Sequence, residues 1–105
     1  MFTYELKQDF KKIAVVLKGD MDIDVTEIIA DEVAPQLMAC EQVEIDFSQV
    51  PFMDSSGIGL LIMLINDLKE RDIEVAIVNI QEDVKQVFSL LQLPEILGRD
   101  VCGDF

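Results

Sequence analysis

The stretch Pro51-Phe52-Met53-Asp54-Ser55-Ser56-Gly57-Ile58-Gly59-Leu60 decides how this chain must fold. Ahead of it, Val43-Glu44-Ile45-Asp46-Phe47 alternates apolar and acidic residues, the period-two pattern of a strand. Behind it, Ile58, Leu61, Ile62, Ile65 and Leu68 recur at helical spacing, with Asn66, Asp67, Lys69 and Glu70 at the wet end. Two hydroxyls, one carboxylate and two glycines thus sit where a strand hands over to a helix. In a parallel α/β sheet that junction carries the functional loops.

Working outward, Phe2, Tyr4 and Leu6 alternate with polar residues as one strand. Gln8 to Lys11 reads as a turn, and Ile13 to Leu17 as a second, more buried strand completing a hairpin. Gly19-Asp20-Met21-Asp22 breaks the pattern. Asp24 is the expected N-cap of a first helix, with Glu27 as its capping-box partner. Val25, Ile28, Ile29, Val33 and Leu37 form the apolar face of that helix, and Pro35 is expected to kink or end it near Ala34. On the other side of the motif, Ile73, Val75, Ile77 and Val78 make a β-branched strand. Val84, Val87, Phe88 and Leu91 line a third helix that Leu93-Pro94 is expected to end. Glu95 to Gly98 reads as a short turn, and Arg99 to Phe105 shows no pattern. The expectation is one α/β domain over residues 1–105. Its mixed sheet has four to five strands, with the N-terminal hairpin at an antiparallel edge and the later strands parallel, packed against about four helices.

Composition narrows the function. Half of the 105 residues are hydrophobic, enough to build a core and too many for a disordered chain. Acidic residues number 21 against 8 basic ones, a net charge of -13. That charge repels nucleic-acid backbones and anionic membranes and suits a partner with a basic face. No histidine is present, which removes the commonest general base and any histidine metal site. Cys40 and Cys102 form no CxxC pair and read as reduced thiols of a cytoplasmic protein. There is no signal-peptide pattern, and the apolar run Ile58 to Ile65 is too short to span a bilayer.

Asp20, Asp22 and Asp24 have a DxDxD spacing, but the glycine and flanking helix of a calcium loop are missing. A solvated turn is the better reading, with no metal. Ser55 and Ser56 have no activating histidine, lysine motif or GxSxG elbow, and no phosphate-binding glycine loop occurs. No catalytic residue or cofactor is therefore expected. Ser55 or Ser56 is expected to cap the following helix, while Gly57 and Gly59 let another backbone approach closely. A phosphoryl group there would add about -1.5 to -2 of charge at a helix N-terminus that tolerates it. From the residues alone, unmodified capping serines with close-packing glycines remain the plainer alternative.

Residues 44–59 resemble the signature of STAS domains, and more narrowly the bacterial anti-sigma factor antagonists. Leu17 to Asp22 resembles the family's Gly-Glu-Leu-Asp segment, with Asp20 for Glu and Met21 for Leu. Val84 to Phe88 and Leu90 to Leu93 resemble its penultimate helix, so the likeness covers about residues 2 to 98. The resemblance implies a non-enzymatic partner switch. The unphosphorylated protein binds a serine-kinase anti-sigma factor of the histidine-kinase-like ATPase type and so frees a sigma factor. Phosphorylation of Ser55 separates the pair, and a PP2C-type phosphatase reverses it. Asp22, Asp54, Ser55, Ser56, Gly57 and Gly59 would form the docking surface of a protein that is monomeric when free. Family members usually continue into a further helix, where only Arg99 to Phe105 remain.

Three alternatives stand beside this. The same switch would serve equally against a non-sigma target such as a kinase, phosphatase, or secretion or biofilm regulator. A receiver domain would carry an aspartyl phosphate on Asp46, but Asp9 stands alone and Lys85 lies in an expected helix. Nucleotide binding lacks a phosphate loop and is opposed by the net charge of -13.

Overall fold

The alternation around residues 43–47 becomes a central strand in a computed structural model that describes residues 2–22 and 25–102. Four strands, β1 (Thr3–Asp9), β2 (Lys12–Lys18), β3 (Gln42–Gln49) and β4 (Glu74–Val78), lie side by side in chain order. β1 pairs antiparallel with β2; β3 runs parallel to β2 and β4 parallel to β3. This is the mixed sheet that the sequence pattern implies. The hairpin connection is tighter than expected, because Asp9 already pairs with Lys12 and only Phe10 and Lys11 remain outside the ladder. Phe10 turns the chain with φ 57, a conformation that a bulky side chain rarely adopts.

Parallel neighbours need crossover connections, and two helical segments supply them. The first comprises α1 (Thr26–Ile28), a π-helical turn (Ile29–Val33) and α2 (Ala34–Leu37). Here Pro35 does not end the helix. Ala34 N–H donates to the carbonyl of Ile29, five residues back, so the widened turn absorbs the ladder position that proline cannot fill. The helix resumes with Pro35 in its first turn, where a missing N–H costs nothing. The expected Asp24 cap lies outside the described residues. The second crossover is α3 (Ser55–Glu70), the longest helix of the chain.

After β4 come α4 (Glu82–Leu90), α5 (Leu93–Leu97) and α6 (Arg99–Cys102). Leu93-Pro94 therefore opens a helix rather than ending one: α4 already stops at Leu90, Gln92 reverses the chain at φ 57, and Pro94 sits in the first turn of α5. Within the patternless tail, Arg99–Cys102 form α6, whose Val101 and Cys102 are buried.

Alternation sends Ile13, Val15 and Leu17 of β2, Val43, Ile45 and Phe47 of β3, and Val75 and Ile77 of β4 into one core. Leu61, Ile65 and Leu68 of α3 and Val84 and Phe88 of α4 meet them there. Phe47 and Phe88 pack edge to face, with ring centroids 6.1 Å apart and planes at 88°. Along the strands, the alternate positions carry ion pairs: Lys18 to Glu5 at 3.0 Å and Lys12 to Glu44 at 3.3 Å. Both are open to solvent, which screens them, so they add little to stability. Cys40 and Cys102 are buried in the core and are not joined in a disulfide. Among the described residues no helix is long and apolar enough to cross a membrane.

Candidate functional site

The ladder between β2 and β3 slips after Val16, so that Lys18 pairs with Gln49, and the two strands then continue as loops that stay stitched together. Gly19, at φ 115, donates its N–H to Gln49 O at 2.9 Å, a backbone geometry suited to glycine. Met21 donates to Phe52 O at 2.9 Å, and Asp54 donates back to Met21 O at 3.1 Å. Met21 and Met53 thereby form an isolated parallel bridge, with both side chains buried. This stitching holds the 20–22 loop against the start of α3. It brings Asp22 and Asp54 to the same end of the sheet as the serine pair.

Asp54, not either serine, caps α3. Its extended backbone places Oδ1 2.9 Å from Gly57 N–H, and its own carbonyl accepts from Ile58 N–H at 3.0 Å. Asp is as good a cap as Ser, and its charge also suits the positive end of the helix. Ser55 is therefore the first residue of the helix and takes no part in the cap. Ser55 is exposed and Ser56 half-buried.

The two glycines differ. Gly57 is buried, and a Cβ there would lie inside contact distance of the Met21 carbonyl oxygen and 2.9 Å from its carbonyl carbon. Gly57 thus stands behind the expected docking surface, where it lets the 20–22 loop close onto the helix. Gly59 is exposed, and a Cβ there would meet nothing within 4 Å. Nothing inside the chain requires glycine at that position, although glycine within a helix costs about 0.5–1 kcal/mol relative to alanine. Two apolar side chains outside the expected set flank this region: Phe52 is 52% exposed and Met63 65% exposed. Met63 was findable from spacing, since it falls four residues past Gly59 and eight past Ser55 on the wet side of the helix.

Asp46, the candidate of the receiver-domain alternative, sits in β3 at its last pair with β4, opposite Val78, in a bracing role. Ser48 N–H donates to its Oδ1 at 2.8 Å and the Asn79 amide to its Oδ2 at 3.1 Å. Gln81 completes the brace by donating to Ser48 O at 2.8 Å. Partial burial pushes the Asp46 carboxyl up, but the Ser48 and Asn79 hydrogen bonds and the Lys7 charge outweigh it and hold the group below its usual range. A depressed folded value means that the carboxylate stabilises the fold above the unfolded value of about 3.9, and that this is lost as pH falls through the lower folded value. Asp46→Asn is therefore expected to lower the melting temperature near neutral pH and to flatten its fall below about pH 4. Thermal melts of both proteins from pH 7 to 2.5 check this; parallel acid limbs would refute it.

Among the described residues, no group of three or more His, Cys, Asp or Glu side chains is placed to hold a metal ion. A shallow cleft of about 560 Å³ lies at the far end of the sheet, near Lys12, Gln42 and Glu74. Its Lys12 is paired with Glu44, and its Lys69 donates to Leu97 O at 2.6 Å. The distinctive surface is instead the loop–helix edge at the C-terminal ends of the parallel strands.

Fold and edge together define a small α/β domain that presents an acidic loop and a capped helix start from one end of a mixed sheet. The chain belongs to the STAS domain family, whose model matches residues 4–102. It is similar to the anti-sigma-B factor antagonist of Bacillus subtilis (strain 168), with 22% identity over 93 residues, covering 89% of this chain and 85% of that protein. It shares the fold of the Bacillus cell fate determinant SpoIIAA in the phosphorylated form, with TM-score 0.68, 22% identity, and coverage of 89% of this chain and 86% of that one. A sulfate transporter family protein from Wolinella succinogenes has the same fold at TM-score 0.76 and 14% identity, covering 89% of this chain and 77% of that one.

Proposed function

We propose that this chain is a phosphorylation-controlled binding protein of the anti-sigma factor antagonist type. Unphosphorylated, it docks a serine-kinase anti-sigma factor in the cytoplasm through Asp22, Asp54, Ser55, Ser56 and Gly59, with Gly57 behind them; phosphorylated on Ser55, it is released. The observation that carries this reading is the division of labour at the start of α3. Asp54 does the capping, so the Ser55 hydroxyl is exposed and can be modified without loss of a structural hydrogen bond. A phosphoryl group on the first residue of α3 meets the positive end of the helix, which favours it by about 0.3–1 kcal/mol. The fold therefore tolerates the modification. The partner does not, because a dianion of three oxygens fills space its surface needs and must be desolvated to stay there.

The test is incubation of the full chain with purified kinase and ATP, followed by phosphosite mapping and a binding titration. Phosphate is expected on Ser55, with affinity falling by about 100-fold, near 2.7 kcal/mol, and an unchanged or slightly raised melting temperature. Ser55→Ala is expected to remain bound in the presence of ATP, and Ser56→Ala to remain switchable. Phosphate on another residue, or release of Ser55→Ala by kinase and ATP, would overturn the reading. The likeness to the sulfate transporter family protein supports a second reading, in which the same edge acts on a target other than an anti-sigma factor. Binding to a non-kinase partner that a PP2C-type phosphatase restores would favour that one.

A further inference from the structure

We propose that Phe52 and the outer stripe of α3 centred on Met63 form the specificity-determining half of the docking surface, and that its occupant is a basic, apolar-centred face of the serine-kinase anti-sigma factor. This rests on the partner-switching reading and extends it to side chains that take no part in phosphorylation. Met63 and Phe52 are large apolar groups that the core does not use, 65% and 52% exposed. They bracket the acceptor along the chain: Phe52 just before the cap, and Met63 about 12 Å along the helix from Ser55 and about 80° around its axis. Between them Gly59 leaves the helix surface bare, and the space above it is open. A partner segment can lie with its backbone over Gly59 and close around Met63, whose unbranched side chain adapts to the pocket offered.

Charge selects the occupant. From Gly19 to Leu68 the chain has no lysine or arginine, and Asp22, Asp54 and the exposed Asp67 rim this stripe. A second copy of the chain would set one acidic rim against another at a net charge of -13 each, and an anionic membrane is repelled for the same reason. An apolar patch ringed by lysine and arginine is the complement. Ser55 then decides whether the partner stays, while Met63, Gly59 and Phe52 decide which partner fits.

The test titrates the purified serine-kinase anti-sigma factors of the source organism into the full chain by calorimetry and follows Ser55 modification by mass spectrometry. Met63→Gln and Gly59→Gln are exposed, helix-compatible changes, with melting temperatures measured to confirm intact folds. Leu90→Gln, an exposed apolar site on α4, serves as control. Each stripe variant is expected to weaken binding about tenfold or more while Leu90→Gln leaves it unchanged. Normal binding and modification of both stripe variants overturns the stripe and leaves the Ser55 switch standing. Weakened binding by a kinase that never modifies Ser55 supports the stripe and overturns the switch. A chain that binds none of these kinases overturns both.

Discussion

Phe88→Ala unfolds the chain under conditions where the parent is native, with an expected loss of about 3–5 kcal/mol. Phe88 is fully buried and is the ring through which α4 meets β3, edge to face with Phe47. Its removal forfeits the transfer energy of a whole aromatic side chain, leaves a cavity at the sheet, and abolishes the ring pair. A domain of this size has about 5–15 kcal/mol in total, so the substitution removes a large share of it. At about 4–8 °C per kcal/mol, the melting temperature falls by more than about 12 °C. Urea melts followed by far-UV circular dichroism measure this, and Phe88→Leu serves as the milder comparison at under about 1.5 kcal/mol. A Phe88→Ala midpoint within experimental error of the parent would show that the ring contributes little to the fold.

Phe88 also shows why so much of this architecture is legible from the chain alone. Val84, Val87 and Phe88 announce a helix face by spacing, and Val43, Ile45 and Phe47 announce a strand; both patterns report burial, which is what the core enforces. Failures cluster where the deciding partner is distant or geometric. Pro35 breaks an ordinary helix, and only the π turn at Ile29–Val33, a feature with no residue signature, lets the chain continue through it. The segment Arg99–Cys102 is too short for periodicity to show, yet Val101 and Cys102 complete the core.

The candidate site divides in the same way. That a carboxylate, two hydroxyls and two glycines meet at a strand-to-helix junction is evident from order along the chain. Which group caps is not, because Asp, Ser and Thr compete for that role almost equally and a shift of one residue changes the winner. The capping Asp54 is fixed by its backbone N–H donating to Met21 O, a contact 33 residues distant in sequence. Without that stitch, nothing distinguishes Ser55 as spare from Ser55 as cap.

Gly57→Ala is expected to cost about 2–3 kcal/mol and to disable the site with Ser55 chemically untouched. In a generic helix this substitution stabilises by about 0.5–1 kcal/mol. Here the new methyl would collide with the Met21 carbonyl, and the obstruction is backbone, held on one side by Met21 N–H to Phe52 O and on the other by Asp54 N–H to Met21 O. Relief requires the 20–22 loop or the first turn of α3 to move, and overpacking of this kind costs about 1–3 kcal/mol. The upper end applies because the displaced atoms also carry hydrogen bonds, including the Asp54 cap. Movement of that turn shifts Ser55 relative to Asp22, so under the proposed switch phosphorylation of Ser55 is expected to slow even in the folded fraction. Gly59→Ala, two residues on, is the comparison: the space is open, so helix propensity acts alone and stability rises by up to about 1 kcal/mol. Paired urea melts of the two variants separate these cases. A Gly57→Ala protein as stable as Gly59→Ala would mean that the loop does not close on the helix, and with it the placement of Asp22 at the same end of the sheet as the serine pair would fall.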